Sequence, residues 1–439
     1  MTTPQKSRRL LLAGLVCIPI LALGIVVVIA GLLVFRFADD SPERDTLRAK
    51  LDHLVRRIHG ESDDSILASQ ALLRAHALIG KDEFDLALHE CNQALRFSPT
   101  WDEAWILRGY VQQMRDDNDA AMADYSAAIQ QGTRTAAAYS NRAGLWRKRG
   151  ELEPALADYT QALALGMKDA EVLVARAAIL VSRGRLTPAL ADLAEAIRLD
   201  PGNADAYALR GYVRHSQNEL GPAIEDFSAA IRLKPDNVRS YLSRASVWQD
   251  LNERDKALAD FTEAIRVDPT SADACTRRGY LRYASGDLEG AVADYSAGIR
   301  LKPDDKNAIL SRGMVFHALG QFDKAREDYT TAIELNPDSP EAYEARGLLE
   351  FTQQDFDLAL ADISEAVRLG QKSADGLTCR GIILHSRGNI DDAIAEFDEA
   401  LRIVPGHEEA SRRKERALRE KHGEPPEDGD PSGPSGREQ

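Results

Sequence analysis

The sequence predicts an all-α fold, a solenoid of stacked helix pairs preceded by one long apolar helix. Three observations carry this reading. Arginine followed by a very small residue recurs at a fixed spacing of 34 residues, the small residue being Ala75, Gly109, Ala143, Ala177, Gly211, Ala245, Gly279, Gly313, Gly347 and Gly381. A strict period of this size marks a repeat array. Within each period, apolar and small residues follow the i, i+3, i+4 spacing of amphipathic helices. Residues that stop helices recur twice per period.

The elements follow in chain order. Residues 1–9 form a short basic tail with Lys6, Arg8 and Arg9, and Leu10 to Phe35 is a run of 26 residues without a polar side chain. As a helix that run spans ~39 Å, enough for a hydrocarbon core of ~30 Å with tilt or a bend at Pro19. A cleavable signal would have a shorter apolar region ending in small residues, whereas this one ends "VFRFADD". A lipoprotein signal fails because Cys17 follows "GLV" in mid-segment. The expectation is a single-pass membrane protein. The basic flank favours a cytoplasmic N-terminus, with the repeats on the non-cytoplasmic side, although Arg44, Arg48 and Lys50 narrow the contrast.

Residues 36–67 are read as a juxtamembrane helix and linker. Residues 42–58 place Leu47, Leu51, Leu54, Val55 and Ile58 on one helical face, and "GESDDS" at 60–65 is the linker. Residues 68–407 hold ten units, starting at 68, 102, 136, 170, 204, 238, 272, 306, 340 and 374. Counted within a unit, position 8 is the small residue after arginine, position 20 is always alanine, from Ala87 to Ala393, and position 27 is alanine in all units but that of Gly298. Position 24 is aromatic in seven units, including Tyr125, Phe261 and Tyr329. At position 15 stand Gly150, Gly184, Gly286, Gly320, Gly388, Asn218 or Asn252, residues that tolerate the left-handed conformation ending a helix. Proline at position 32 ends the second helix in seven units, and Gly132, Gly166 and Gly370 stand one position earlier in the other three. Residues 408–422 read as a polar capping helix, and 423–439 as a Pro/Gly-rich acidic tail without fold.

Small residues at 8, 20 and 27, a bulky 24 and proline at 32 resemble the tetratricopeptide repeat (TPR) family over 68–407. That resemblance implies a right-handed superhelix with a concave groove that binds protein or peptide partners. One departure is notable. Position 7, apolar in the commonest TPR pattern, is arginine in all ten units, and position 23 is acidic in all ten. Planar guanidinium suits carboxylate bidentately, so the expectation is a structural ladder, for example Arg210 with Asp226, Arg244 with Asp260 and Arg278 with Asp294. The partners could belong to one unit or to neighbours.

With 70 acidic and 55 basic residues, net −15, nucleic acid is not an expected partner. There is no Gly-rich phosphate loop, H-E-x-x-H, G-x-S-x-G or kinase signature, and the TPR-bearing O-linked sugar transferases need a large α/β domain for which there is no room. No enzyme activity, cofactor or metal site is expected. Cys17, Cys91, Cys275 and Cys379 form no C-x-x-C pair. His215, His317 and His385 share position 12 but lie too far apart to hold one ion.

In TPR proteins positions 2, 5, 9 and 12 face the groove. The lysine and asparagine clamp of chaperone-binding members is largely missing, with Asn141 an isolated match. Positions 9 and 12 of the last four units are Tyr280/Tyr283, Met314/His317, Leu348/Phe351 and Ile382/His385. Packing against the next repeat would explain this stripe. So would a site for an apolar peptide with basic residues, assisted by position-2 acids such as Asp273, Glu341 and Asp375. The function expected is a membrane-anchored interaction scaffold, or alternatively an accessory, spacing subunit of a membrane enzyme, secretion or envelope-assembly complex.

Overall fold

The computed structural model describes residues 63–423, which form twenty-one α-helices and no strand. They fall in two compact units that divide after Leu233. The first holds α1 (Asp63–Ile79), α2 (Phe84–Phe97), α3 (Asp102–Met114), α4 (Asn118–Gln130), α5 (Ala136–Lys148), α6 (Leu152–Ala164), α7 (Ala170–Ser182), α8 (Leu186–Leu199), α9 (Ala204–Ser216) and α10 (Leu220–Leu233). The second holds α11 (Val238–Asp250), α12 (Arg254–Val267), α13 (Ala272–Ala284), α14 (Leu288–Leu301), α15 (Lys306–Ala318), α16 (Phe322–Leu335), α17 (Pro340–Thr352), α18 (Phe356–Arg368), α19 (Ala374–Ser386), α20 (Ile390–Ile403) and α21 (Glu408–His422). Within each unit, every odd-numbered helix up to α19 packs mainly on the even-numbered helix that follows it and less closely on its other neighbours, and α21 packs on α20.

The turns obey one backbone rule that the residue types only partly reveal. Position 15 takes positive φ at the five glycines and two asparagines, and also at Asp82, Asp116 and Gln354 (φ 62°, 62° and 63°). Tertiary packing imposes the left-handed residue there even without a favourable side chain. The second stop has two forms. Before proline the C-cap is extended, as at Asp200 (φ −134°, ψ 91°) and Asp268 (φ −131°, ψ 93°). Where glycine replaces that arrangement, Gly132, Gly166 and Gly370 turn left-handed and α4, α6 and α18 have 13 residues instead of 14. Asp169, Asn203, Asn237, Ser271 and Asp305 each accept a hydrogen bond from the first turn of the next helix.

The core of seven of the pairs is an aromatic edge against a residue without bulk. A Cβ added to Gly313 would lie 2.7 Å from Tyr329 Cε1, and one on Gly211 would lie 3.0 Å from Phe227 Cε1. Ala87, Ala257, Ala325 and their equivalents at position 20 are fully buried. Close approach of the two helices therefore depends on the small residues, and the ring at 24 fills the space they leave.

The membrane expectation requires correction. Among the described residues no helix is long and apolar enough to cross a membrane. The longest, α1, has 17 residues, about 26 Å of helix against the ~30 Å of a hydrocarbon core, and it carries Asp64 and Arg74. The assignment of a single-pass protein with repeats on the non-cytoplasmic side falls on this finding. Leu10–Phe35, the segment 42–58 and the tail beyond 423 lie outside the described residues.

Gly313→Val should destabilise the fold by about 2–3 kcal/mol through overpacking against Tyr329. Gly221→Ala, where an added Cβ meets nothing within 4 Å, should be neutral or stabilising by about 0.5 kcal/mol. Urea unfolding of the two variants checks the contrast.

Candidate functional site

Position 7 sits mid-way along each odd helix and position 23 mid-way along its even partner, so the two side chains meet at one height. In eight pairs the arginine Nε and Nη2 donate to both oxygens of the aspartate at 2.6–2.9 Å, among them Arg210–Asp226, Arg244–Asp260 and Arg278–Asp294. All eight partners lie within one 34-residue unit, and all eight aspartates are buried. The hydrogen bond donated to aspartate raises the pKa of Arg210, Arg244, Arg278, Arg312 and Arg346. At Asp124, by contrast, burial raises the carboxyl's pKa although Arg108 is bound to it. The two directions show pairing set against desolvation, so each rung's net contribution is far smaller than its hydrogen bonds suggest.

The third guanidinium nitrogen does something the sequence analysis missed. In six units Nη1 reaches back to position 25 of the preceding unit, as in Arg108 to Asn92 Oδ1 at 2.8 Å, Arg312 to Ser296 Oγ at 3.2 Å and Arg346 to Thr330 Oγ1 at 3.1 Å. One side chain thus closes its own helix pair and ties it to the previous one. The signal was available, since position 25 is Asn, Ser or Thr in most units. Asp226 and Asp294 accept a second arginine from position 11, Arg214 at 2.9 Å and Arg282 at 3.0 Å. Elsewhere a buried Glu350 at position 11 holds Arg326 from the preceding unit by two bonds of 2.6 and 2.9 Å.

The terminal rungs differ. Among the described residues Arg74 gives only Nε to Glu90, at 2.8 Å. Arg380 Nη2 bonds Glu396 Oε1, and glutamate's extra methylene spoils the fork, leaving Arg380 Nε and Glu396 Oε2 buried without a partner among the described residues. Beside this rung Leu360, Ser364 and Leu384 help line a hollow of about 350 Å³.

The expected groove residues divide by position. At position 12 the side chains are engaged. Tyr283 packs on Tyr295, Ala308 and Val315, and His317 and Phe351 meet Phe322 and Phe356 edge-on, each at 5.7 Å between centroids. His385 Nε2 lies 2.8 Å from Glu420 Oε2 of α21. Burial lowers the His317 pKa, so that ring is neutral at neutral pH. At position 9, Tyr280 (57% exposed) and Met314 (43%) face solvent. Leu348 is half-buried, and Ile382 packs on Phe397 and Ala417. In the first unit Tyr212, also at position 9, is 53% exposed; its repeated "RGY" context was the overlooked signal. Asn141 donates to the Tyr125 hydroxyl at 3.3 Å, which removes it from any clamp.

Among the described residues no group of His, Cys, Asp and Glu could hold a metal ion. Burial pushes the thiols of Cys91 and Cys379 up to about 12, far from a reactive thiolate.

Family models described as tetratricopeptide repeats match residues 135–166, 204–237, 310–375 and 353–408, and a TPR repeat model matches 177–218 and 279–320. The chain belongs to the tetratricopeptide repeat family. No curated protein matches it. Among solved structures it is similar to a TPR protein from Parabacteroides merdae ATCC 43184 at 23% identity, covering 57% of this chain and 98% of that one, with a TM-score of 0.42. It is also similar to YrrB, a TPR protein with an unusual peptide-binding site (23% identity, 44% and 99% covered, TM-score 0.38). A third likeness is to Cut9–Hcn1, a hetero-tetramer of APC/C (18% identity, 82% and 77% covered, TM-score 0.43). Likeness at this level carries no function across. TPR proteins bind protein or peptide partners and are typically non-enzymatic scaffolds, and this TPR chain is an interaction scaffold of that type.

Arg244→Ala and Asp260→Ala should each cost about 3 kcal/mol, because the surviving partner stays buried. The exposed pair Arg74–Glu90 should lose no more than ~1 kcal/mol with Arg74→Ala. Arg278→Ala should fall between them, since Arg282 still holds Asp294. Glu396→Asp should restore the two-bond fork and stabilise α19 and α20 by about 1 kcal/mol. Urea denaturation curves of the five variants check this ranking.

Proposed function

We propose that the chain is a scaffold of ten TPR repeats that binds an extended or helical peptide of a partner protein along the odd helices of its second unit. The observation that carries this reading is the exposure of Tyr280 and Met314, while their position-12 neighbours are engaged in packing. Large apolar side chains held in solvent by a rigid helix are suited to act as anchors for a partner. The charge component is weaker. Asp273 pairs with Arg277 at 2.8 Å and Asp375 with His407 at 2.9 Å, so acids that would favour a basic peptide already have partners. Apolar contact, assisted by Glu341, is therefore the main source of affinity, and Leu348 and Ile382 extend the contact at its edge.

A photocrosslinking residue at Tyr280 should capture a polypeptide that the same residue at Leu335, exposed but at position 30 of an even helix, does not. Met314→Ser should abolish that capture while changing stability by less than ~0.5 kcal/mol. Tyr283→Ala with Phe351→Ala should instead lower stability, because these side chains are packed. Equal capture from Tyr280 and Leu335, or capture that survives Met314→Ser, contradicts the reading.

A further inference from the structure

At the last 34-residue unit the rung opens onto a hollow. Leu360 and Ser364 of α18, Arg380 and Leu384 of α19, and Asp392 and Glu396 of α20 line a volume of about 350 Å³, at the low end of small-molecule sites. Glu396 Oε2 and Arg380 Nε are buried without a partner among the described residues. Arg380 makes no bond to Ser364, its position-25 residue, although six of its counterparts tie theirs to the preceding unit. Charge is out of balance as well. Asp392 has no ion-pair partner among the described residues, and neighbouring cations are engaged elsewhere, Arg387 with Asp357, Lys414 with Asp398 and Lys421 with Asp391. Arg380 therefore faces two acids, Glu396 and Asp392.

The same place is filled elsewhere in the array, each time by a guanidinium. In α9, Arg214 at position 11 gives Nη1 to Asp226 Oδ2 at 2.9 Å and to the Pro222 carbonyl at 3.5 Å. In α13, Arg282 repeats this on Asp294 Oδ2 at 3.0 Å and the Gly290 carbonyl at 3.4 Å. In the next-to-last unit the group comes from the preceding helix pair instead, Arg326 at position 21 onto Glu350 at position 11. In the last unit positions 11 and 21 are Leu384 and Leu360, which cannot supply one. Leucines alone do not open the place. Leu156 and Leu180 hold the same two positions against Asp192, whose two oxygens are bound by Arg176, and both leucines are buried. Glutamate at position 23 makes the difference, because one of its oxygens is left over.

We propose that this hollow binds a guanidinium group from outside the chain, carried by an arginine side chain or by a small guanidinium compound. Glu396 takes the role of Asp226 and Asp294. The Asp392 carbonyl, at position 19, takes that of Pro222 and Gly290, and the Asp392 carboxylate balances the added charge. A carboxylate between two guanidinium groups is already the arrangement at Asp226, so Arg380 on one side of Glu396 does not bar a second cation on the other. Planar, multiple donors suit these acceptors better than an ammonium does, and Leu360 and Leu384 cover the apolar stem behind the head group. None of these residues belongs to the peptide site proposed above, so either inference can fail alone.

The test is calorimetric titration of the full chain with methylguanidinium, with acetyl-Gly-Arg-Gly-amide, and with the same peptide carrying citrulline, the neutral isostere of arginine. The arginine peptide should bind about tenfold or more tighter than the citrulline peptide, the fold-change of one charge-assisted hydrogen bond. Glu396→Gln, which keeps the shape and removes the charge, should weaken the arginine peptide by a similar factor. Leu384→Arg, which supplies the group from position 11 as Arg214 does, should abolish its binding. Unchanged amide hydrogen exchange in α13 shows that both variants keep the fold. An arginine peptide that binds more tightly than methylguanidinium supports the site with a polypeptide as ligand, and equal affinity supports it with a free guanidinium compound. Equal binding of the arginine and citrulline peptides overturns the proposal. So does the absence of binding by either guanidinium probe, or binding that survives both Glu396→Gln and Leu384→Arg.

Discussion

One guanidinium holding one buried aspartate sets the geometry of eight of the ten helix pairs. The fork fixes the two helices at one height, and that height decides where the ring at position 24 meets the small residue at position 8. Burial makes the arrangement exacting. A lone aspartate there would carry a desolvation cost, and a lone arginine nearly as much, so either side chain demands the other. Pairing then yields little net stability but strong preference for one register. The same arginine extends through Nη1 to the preceding unit, so the rung orders the stack as well as the pair.

That dependence explains which parts of the fold were legible in the sequence. Arginine at 7 and acid at 23 could be seen as partners because both were invariant along the array, and the within-unit pairing was one of two open geometries. Gln354 could not be read as a left-handed residue, because its side chain does not favour that conformation and packing imposes it. Arg326 with Glu350 was hidden for a related reason. Arg326 breaks the apolar pattern of position 21, and only the stacking of α16 against α17 shows that Glu350 compensates it. The localisation read from Leu10–Phe35 was not sustained by any described helix.

At the candidate site the sequence reading merged two populations. Positions 9 and 12 are three residues apart, close enough on a helix to share a face in a pattern argument. In the folded unit the turn between them is sufficient to send position 12 toward the next helix and leave position 9 in solvent. Tyr283, His317, Phe351 and His385 therefore belong to the stack, whereas Tyr280 and Met314 remain available. Because the odd helices are locked by their rungs, these exposed side chains stand on a rigid surface, so the binding proposed there would lose little conformational entropy.

The central claim is that Arg244 and Asp260 stabilise the fold as a unit and not as two separate polar groups. A double-mutant cycle by urea unfolding, using Arg244→Ala, Asp260→Ala and the pair together, measures that coupling directly. The account predicts a double variant little worse than either single one, with a coupling energy of about 2 kcal/mol or more. Single-variant losses that simply add, with coupling near zero, would contradict it.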